Sequence, residues 1–185
     1  MAEHWHKKKL KVIRHIAFKD PYIFEFLGLP ANTAITENEL ETALTNHLKQ
    51  FLMELGKGFA FVGRQEHVVT DTADFYIDLV FYNYYLKCFV LIDLKIDKLS
   101  HADIGQMDMY VRMYNDLKKG TDDNPTIGII LCTEKDETIV KYSVLAENKK
   151  LFASKYRLYL PKEEELKRLI ETDRINLELN NKDNN

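Results

Sequence analysis

The sequence predicts an α/β domain: a central mixed sheet with helices on its faces. Three stretches carry that expectation. Residues 36–55 hold a helical apolar stripe, residues 75–95 read as two apolar strands around a polar turn, and Thr126–Cys132 is apolar on both faces. A strand greasy on both sides belongs in a parallel sheet covered by helices, and its parallel neighbour has to be reached through a crossover helix.

In chain order, the segment 20–29 (DPYIFEFLGL) starts at a turn signal and ends before Pro30, which predicts a short aromatic helix. Thr36 with Glu39 three residues on is a capping box. Leu40, Leu44, Leu48, Phe51, Leu52 and Leu55 then recur at helical spacing until Gly56 and Gly58 stop the helix. Glu41 falls inside that stripe, and either faces the core or stands at its margin with the head in water. Phe59–Val69 reads as a first strand, with Gly63 a bulge or close-approach point. The hairpin follows, then a helix from about His101 to Leu117, with Ile104, Met107, Tyr110, Val111, Tyr114 and Leu117 as its stripe and Gln106 at the stripe's edge. After strand Thr126–Cys132 come a helix over 137–147, a short strand over 156–160 and a last helix over 163–172.

The 185 residues suit one domain with a substantial core. Its expected limits are 31–174. Residues 1–30 form a basic arm plus the aromatic helix, with six Lys or Arg against one acid over 1–19, and residues 175–185 form a polar disordered tail. No apolar run approaches the roughly 18 residues of a membrane span, and no signal-peptide pattern opens the chain. Cys88 and Cys132 lie in apolar strands and read as buried hydrophobes of a reducing cytoplasm. A net charge of −3 leaves nucleic-acid binding to a local basic patch.

The hairpin carries the chemistry. Side chains alternate with period two, so Asp93 and Lys95 share a face. With Tyr82 paired to Lys87 across the turn, Asp78 stands opposite Leu91 and diagonal to Asp93, within roughly 7 Å. Two carboxylates and an ammonium thus meet on an apolar surface, where an unpaired charge is costly. Carboxylates on adjacent strands suit Mg²⁺, or Mn²⁺, with the backbone carbonyl of Leu94 as a further oxygen donor. Such an ion stabilises charge on a phosphate and lowers the pKa of an attacking water, while a lysine one pleat along can hold or deprotonate that water. These are the needs of phosphodiester hydrolysis. Taken alone, the pattern Asp, fourteen residues, Asp-x-Lys also fits a half-buried Asp93–Lys95 ion pair beside an exposed Asp78. The chain has no Gly-rich phosphate loop, Cys-x-x-Cys, His-Glu-x-x-His or nucleophile elbow.

The stretches LETALTNHLKQFLMELGKGFAFVGRQ, DFYIDLVFY, LIDLK, GQMDMYV and NPTIGIILC, in this order, resemble the PD-(D/E)XK nuclease superfamily, and within it the nuclease domain of bacterial YhcG-like proteins. The resemblance implies a restriction-endonuclease-like core. It implies Asp78 and Asp93 as metal ligands, Lys95 as the catalytic lysine, Glu41 as the acid of the first helix and Gln106 as an accessory glutamine. It further implies a Mg²⁺- or Mn²⁺-dependent endo- or exonuclease acting on DNA, branched or single-stranded included, in repair, recombination or defence, with a homodimer as a possible assembly. Two departures stand out. Asp93 occupies a position where the family usually has Glu, and family members are usually longer, so the resemblance implies a nuclease domain without its DNA-targeting part. The alternative function is a nuclease-fold module that binds nucleic acid or a protein partner without chemistry.

Overall fold

In the computed structural model, residues 22–23, 27, 34–70, 73–135, 137–141, 143 and 150–157 are described. Their elements are β1 (Tyr22–Ile23), α1 (Glu37–Asn46), α2 (Leu48–Leu55), β2 (Phe59–Val69), β3 (Asp74–Asn83), β4 (Cys88–Leu94), α3 (His101–Leu117), β5 (Ile127–Cys132), α4 (Glu137–Lys141) and β6 (Leu151–Arg157). Among these residues one six-stranded sheet forms, in the order β1-β6-β5-β4-β3-β2. Strands β2, β3 and β4 make an antiparallel meander, while β4, β5, β6 and β1 run parallel. Helix α3 provides the crossover from β4 to β5, as the doubly apolar β5 requires; every residue of β5 is buried.

Two apolar layers sandwich the sheet. Leu79, Phe81, Val90, Ile92 and Leu94 pack with Leu40, Leu44, Phe51 and Leu55 of α1 and α2. Ile77, Val80, Leu91 and Ile130 pack with Ile104, Met107, Tyr110 and Val111 of α3. Phe81 anchors the first layer, taking Phe51, Phe59 and Phe61 edge-on at 5.8, 6.1 and 5.5 Å. In the second layer α3 lies so close to β5 that a Cβ on Gly128 would stand 2.6 Å from Met107 and 2.8 Å from Val111.

Several expectations need correction. The first helix is two helices, because His47 leaves the helical region (φ −107, ψ 33), although the Thr36–Glu39 capping box forms as expected. Tyr22–Ile23 is a strand paired with Tyr156–Arg157, not a helix; β-branched and aromatic residues suit that edge position. The last strand begins at Leu151 rather than Tyr156. The hairpin register differs too. Tyr82 pairs with Phe89 and Asn83 with Cys88, because the buried Asn83 carboxamide accepts from the Tyr85 and Leu86 amides at 3.1 and 3.0 Å. Asn83 therefore becomes the last strand residue, and Lys87 closes the turn at φ 50. The rest of the N-terminal arm apart from Leu27, residues 142 and 144–147 of the helix expected at 137–147, the helix at 163–172 and the polar tail lie outside the described residues.

Candidate active site

The corrected register brings the two aspartates face to face. The β3–β4 pairing runs to Leu79–Ile92, and one further step along it sets Asp78 directly across from Asp93 rather than diagonal to it. Beyond that point the strands part, and the Asp78 carboxylate takes over as the acceptor: Leu94 N–H donates to Asp78 Oδ2 at 2.7 Å. Strand β4 meanwhile stays with β5, the Lys95 amide donating to Leu131 O at 2.8 Å. The gap between diverging strands is where the polar groups gather.

Strands β2 and β3 are irregular beside this gap. Arg64 pairs with Leu79 and Glu66 with Ile77, so Gln65 stands opposite Asp78. Gln65 has φ 48, a left-handed conformation rare in non-glycine residues. Side-chain alternation changes phase at this point. Ile77 has the same parity as Leu79, yet it packs against α3 while Leu79 packs against α1 and α2. The Gln65 side chain turns toward α1 and spans two acids, donating through Nε2 to Glu41 Oε2 and, at 3.1 Å, to Asp78 Oδ1.

Asp93 is 2% exposed. Burial first, and the neighbouring Asp78 charge second, push its carboxyl up to about 7, with Lys95 opposing them. Lys95 Nζ stands 3.1 Å from Asp93 Oδ2. That approach is an ion pair without hydrogen-bond alignment, since Oδ2 has no hydrogen-bond partner among the described residues. Burial works against the Lys95 ammonium, but Asp93, Glu37 and Asp78 outweigh it and hold the pKa above the ordinary lysine value. Glu37, placed in the first turn of α1 by the capping box, lies 3.8 Å from Lys95 Nζ and accepts from the Ile96 amide at 3.4 Å. Burial also raises the pKa of Glu41, which is core-facing rather than marginal.

Of the five residues singled out from sequence, Asp78, Asp93 and Lys95 come together directly, and Glu41 joins them through Gln65. Gln106 stands one residue further back. Its Nε2 donates to the Tyr110 hydroxyl, which donates to the Tyr76 carbonyl at 3.1 Å. Tyr110 is close enough to Asp93, Lys95 and Asp78 to feel their charges, though burial is the main reason its pKa rises. Gln65, Glu37 and Tyr110 were missed. The signal for Gln65 was Arg64-Gln65-Glu66, three polar residues in a row where a strand should alternate; for Tyr110 it was Gln106 one helical turn earlier.

As a metal site, the donor set is spare. Among the described residues no group of three His, Cys, Asp or Glu side chains converges in ligating geometry. Two carboxylates and a backbone carbonyl do suffice for Mg²⁺, which keeps several waters. A buried carboxylate oxygen with an open hydrogen-bonding position, Asp93 Oδ2, fits that use.

The sequence model of the YhcG PDDEXK nuclease domain matches residues 15–171. The chain belongs to the YhcG PDDEXK nuclease domain family. It is 40% identical over 150 residues to a protein of Escherichia coli K12 named "Putative nuclease YhcG", an overlap covering 81% of this chain and 40% of that one. The match to this YhcG relative thus spans well under half of its length. Two solved structures align partially: a repair endonuclease from Pyrococcus abyssi (17% identity, TM-score 0.44, 71% of this chain and 50% of that one) and EndoMS in complex with double-stranded DNA (15% identity, TM-score 0.45, 70% and 48%). The YhcG-family fold here is the restriction-endonuclease-like core expected from sequence, a mixed sheet flanked by helices.

Proposed function

We propose that this domain is a divalent-metal-dependent DNA phosphodiester hydrolase of the cytoplasm, serving repair, recombination or defence. The observation that carries the proposal is the meeting of Asp78, Asp93 and Lys95 where β3 and β4 part, with Asp93 Oδ2 buried, without a hydrogen bond and paired only with the Lys95 ammonium among the described residues. Family membership supports it.

In this reading Asp78, Asp93 and the Leu94 carbonyl hold Mg²⁺ or Mn²⁺. When bound, the ion supplies charge neutralisation at the phosphate and a more acidic water. In the metal-free domain three acidic neighbours, Asp93, Glu37 and Asp78, favour the Lys95 ammonium. As an ammonium it would orient the attacking water by donating to it and stabilise the extra negative charge on the phosphoryl oxygens. Glu37 and Asp93 restrain the long lysine side chain from two sides. The Gln106–Tyr110 pair braces the α3 side of the site and fixes the Tyr76 carbonyl two residues ahead of Asp78.

The test is cleavage of linear, nicked, single-stranded and four-way DNA with Mg²⁺ and with Mn²⁺. Asp93→Ala and Lys95→Ala are each expected to lower the rate at least about 100-fold, as loss of a positioned charge does, with the fold intact by circular dichroism. Full cleavage by both variants overturns the proposal. DNA binding that is indifferent to chelator, with no cleavage under either metal, identifies a binding module instead.

A further inference from the structure

Gln65 does something that nothing in its sequence position demands. It sits in the middle of β2 with a backbone conformation that costs an ordinary residue energy, φ 48. Its side chain bridges two carboxylates on different elements, Glu41 of α1 and Asp78 of β3. It stands opposite Asp78 at the point where both strands change side-chain phase. A merely structural glutamine on an exposed edge strand would adopt extended geometry and point to water. This one is turned back over the sheet.

We infer that Gln65 is the positioning residue that makes Asp78 a metal ligand, and that Glu41 acts on the metal through Gln65 rather than as a ligand itself. One Nε2 group has two N–H bonds, and here both are committed. One bond goes to Asp78 Oδ1 while Leu94 N–H occupies Oδ2, so the carboxylate is held from both ends and cannot rotate away. The other goes to Glu41, which keeps the amide oriented and is thereby occupied on its Oε2. Asp78 and Glu41 repel one another, and the amide between them supplies the partial positive charge that lets both stay near the site. This inference rests on the proposed metal site, whose own failure is recognisable in the unmutated domain.

The experiment is Mn²⁺ binding to the purified domain, followed by calorimetry and by the loss of the free-ion electron paramagnetic resonance signal. Wild type is expected to bind one Mn²⁺. If it binds none, the metal-site reading fails and this inference with it. Gln65→Gly is the decisive variant, because glycine adopts positive φ without strain and keeps the backbone turn. Gln65→Met retains bulk without the amide. Loss of an outer-shell partner typically weakens metal affinity roughly 10- to 100-fold, and that loss is expected for both variants. Glu41→Gln, which keeps an oxygen to accept the Gln65 amide, is expected to lose less Mn²⁺ affinity than Gln65→Gly; an equal or larger loss overturns the inference. Glu41→Ala added to Gln65→Gly should produce no further loss, since its route to the metal is already gone. Wild-type Mn²⁺ affinity in Gln65→Gly overturns the inference. So does a multiplicative loss in the double variant, which would make Glu41 an independent ligand.

Discussion

Asp93 shows how a single residue is shaped by its surroundings. The same carboxyl would ionise near its ordinary value in an unfolded chain; buried beside Asp78 it is pushed up to about 7. A group whose folded pKa is raised contributes stability that is fully present below its unfolded pKa and is lost as pH rises through the folded value. Glu41 is shifted in the same direction by burial and adds to the trend. The metal-free domain is therefore expected to have a higher urea midpoint at pH 5 than at pH 8. Asp93→Asn should shrink that difference, and an unchanged slope in the variant would assign the dependence elsewhere. Asp93, Lys95 and Asp78 were legible in sequence because three charges in an apolar hairpin are conspicuous. The polar run Arg64-Gln65-Glu66 marks an irregular strand, but not the role of Gln65, which lies in a positive φ and a fold-dependent reach to α1.

At the scale of elements, the residue pattern located α1–α2, α3 and strands β2 to β5, misplaced β6, and missed where elements bend. The stripe from Leu40 to Leu55 keeps helical spacing straight through His47, so the break there could not be read from the apolar pattern. The hairpin turn was located to within a residue, but its register was two residues off, since the choice belonged to a buried Asn83 side chain satisfying the turn amides. Contact between α3 and β5 is another feature only three dimensions reveal. Gly128 is a glycine because Met107 and Val111 occupy the space a side chain would need. Val111 is β-branched and stiff, so it cannot move aside cheaply. Gly128→Ala is expected to cost about 1–3 kcal/mol through overpacking, measured by urea denaturation. A variant as stable as wild type would mean that α3 rides up without loss.

Across the whole molecule, the candidate site and the ties to the loop before β5 sit at opposite ends of the β3–β4 hairpin. At the turn end, the Tyr82 hydroxyl donates to Asp123 at 2.6 Å and Asn124 bonds Lys87 and Leu86 backbone, tying the hairpin to the loop that leads into β5. The Tyr82 phenol is correspondingly held up to about 12 by that bond to Asp123. Tyr82→Phe removes one partly exposed hydrogen bond, and is expected to cost about 1 kcal/mol in denaturation while leaving DNA cleavage at the wild-type rate. A large loss of cleavage would show that the turn end and the site are coupled. Read by itself, the sequence determined the layered α/β architecture, the doubly covered β5 and the trio Asp78, Asp93 and Lys95, because burial pattern and charge spacing are local properties of the chain. Only the tertiary structure decided that the two aspartates oppose each other, that Glu41 faces inward and that Gln65 joins it to Asp78. Each of those depends on where strands part and on what a neighbouring element presents, and the order of residues along the chain does not contain either.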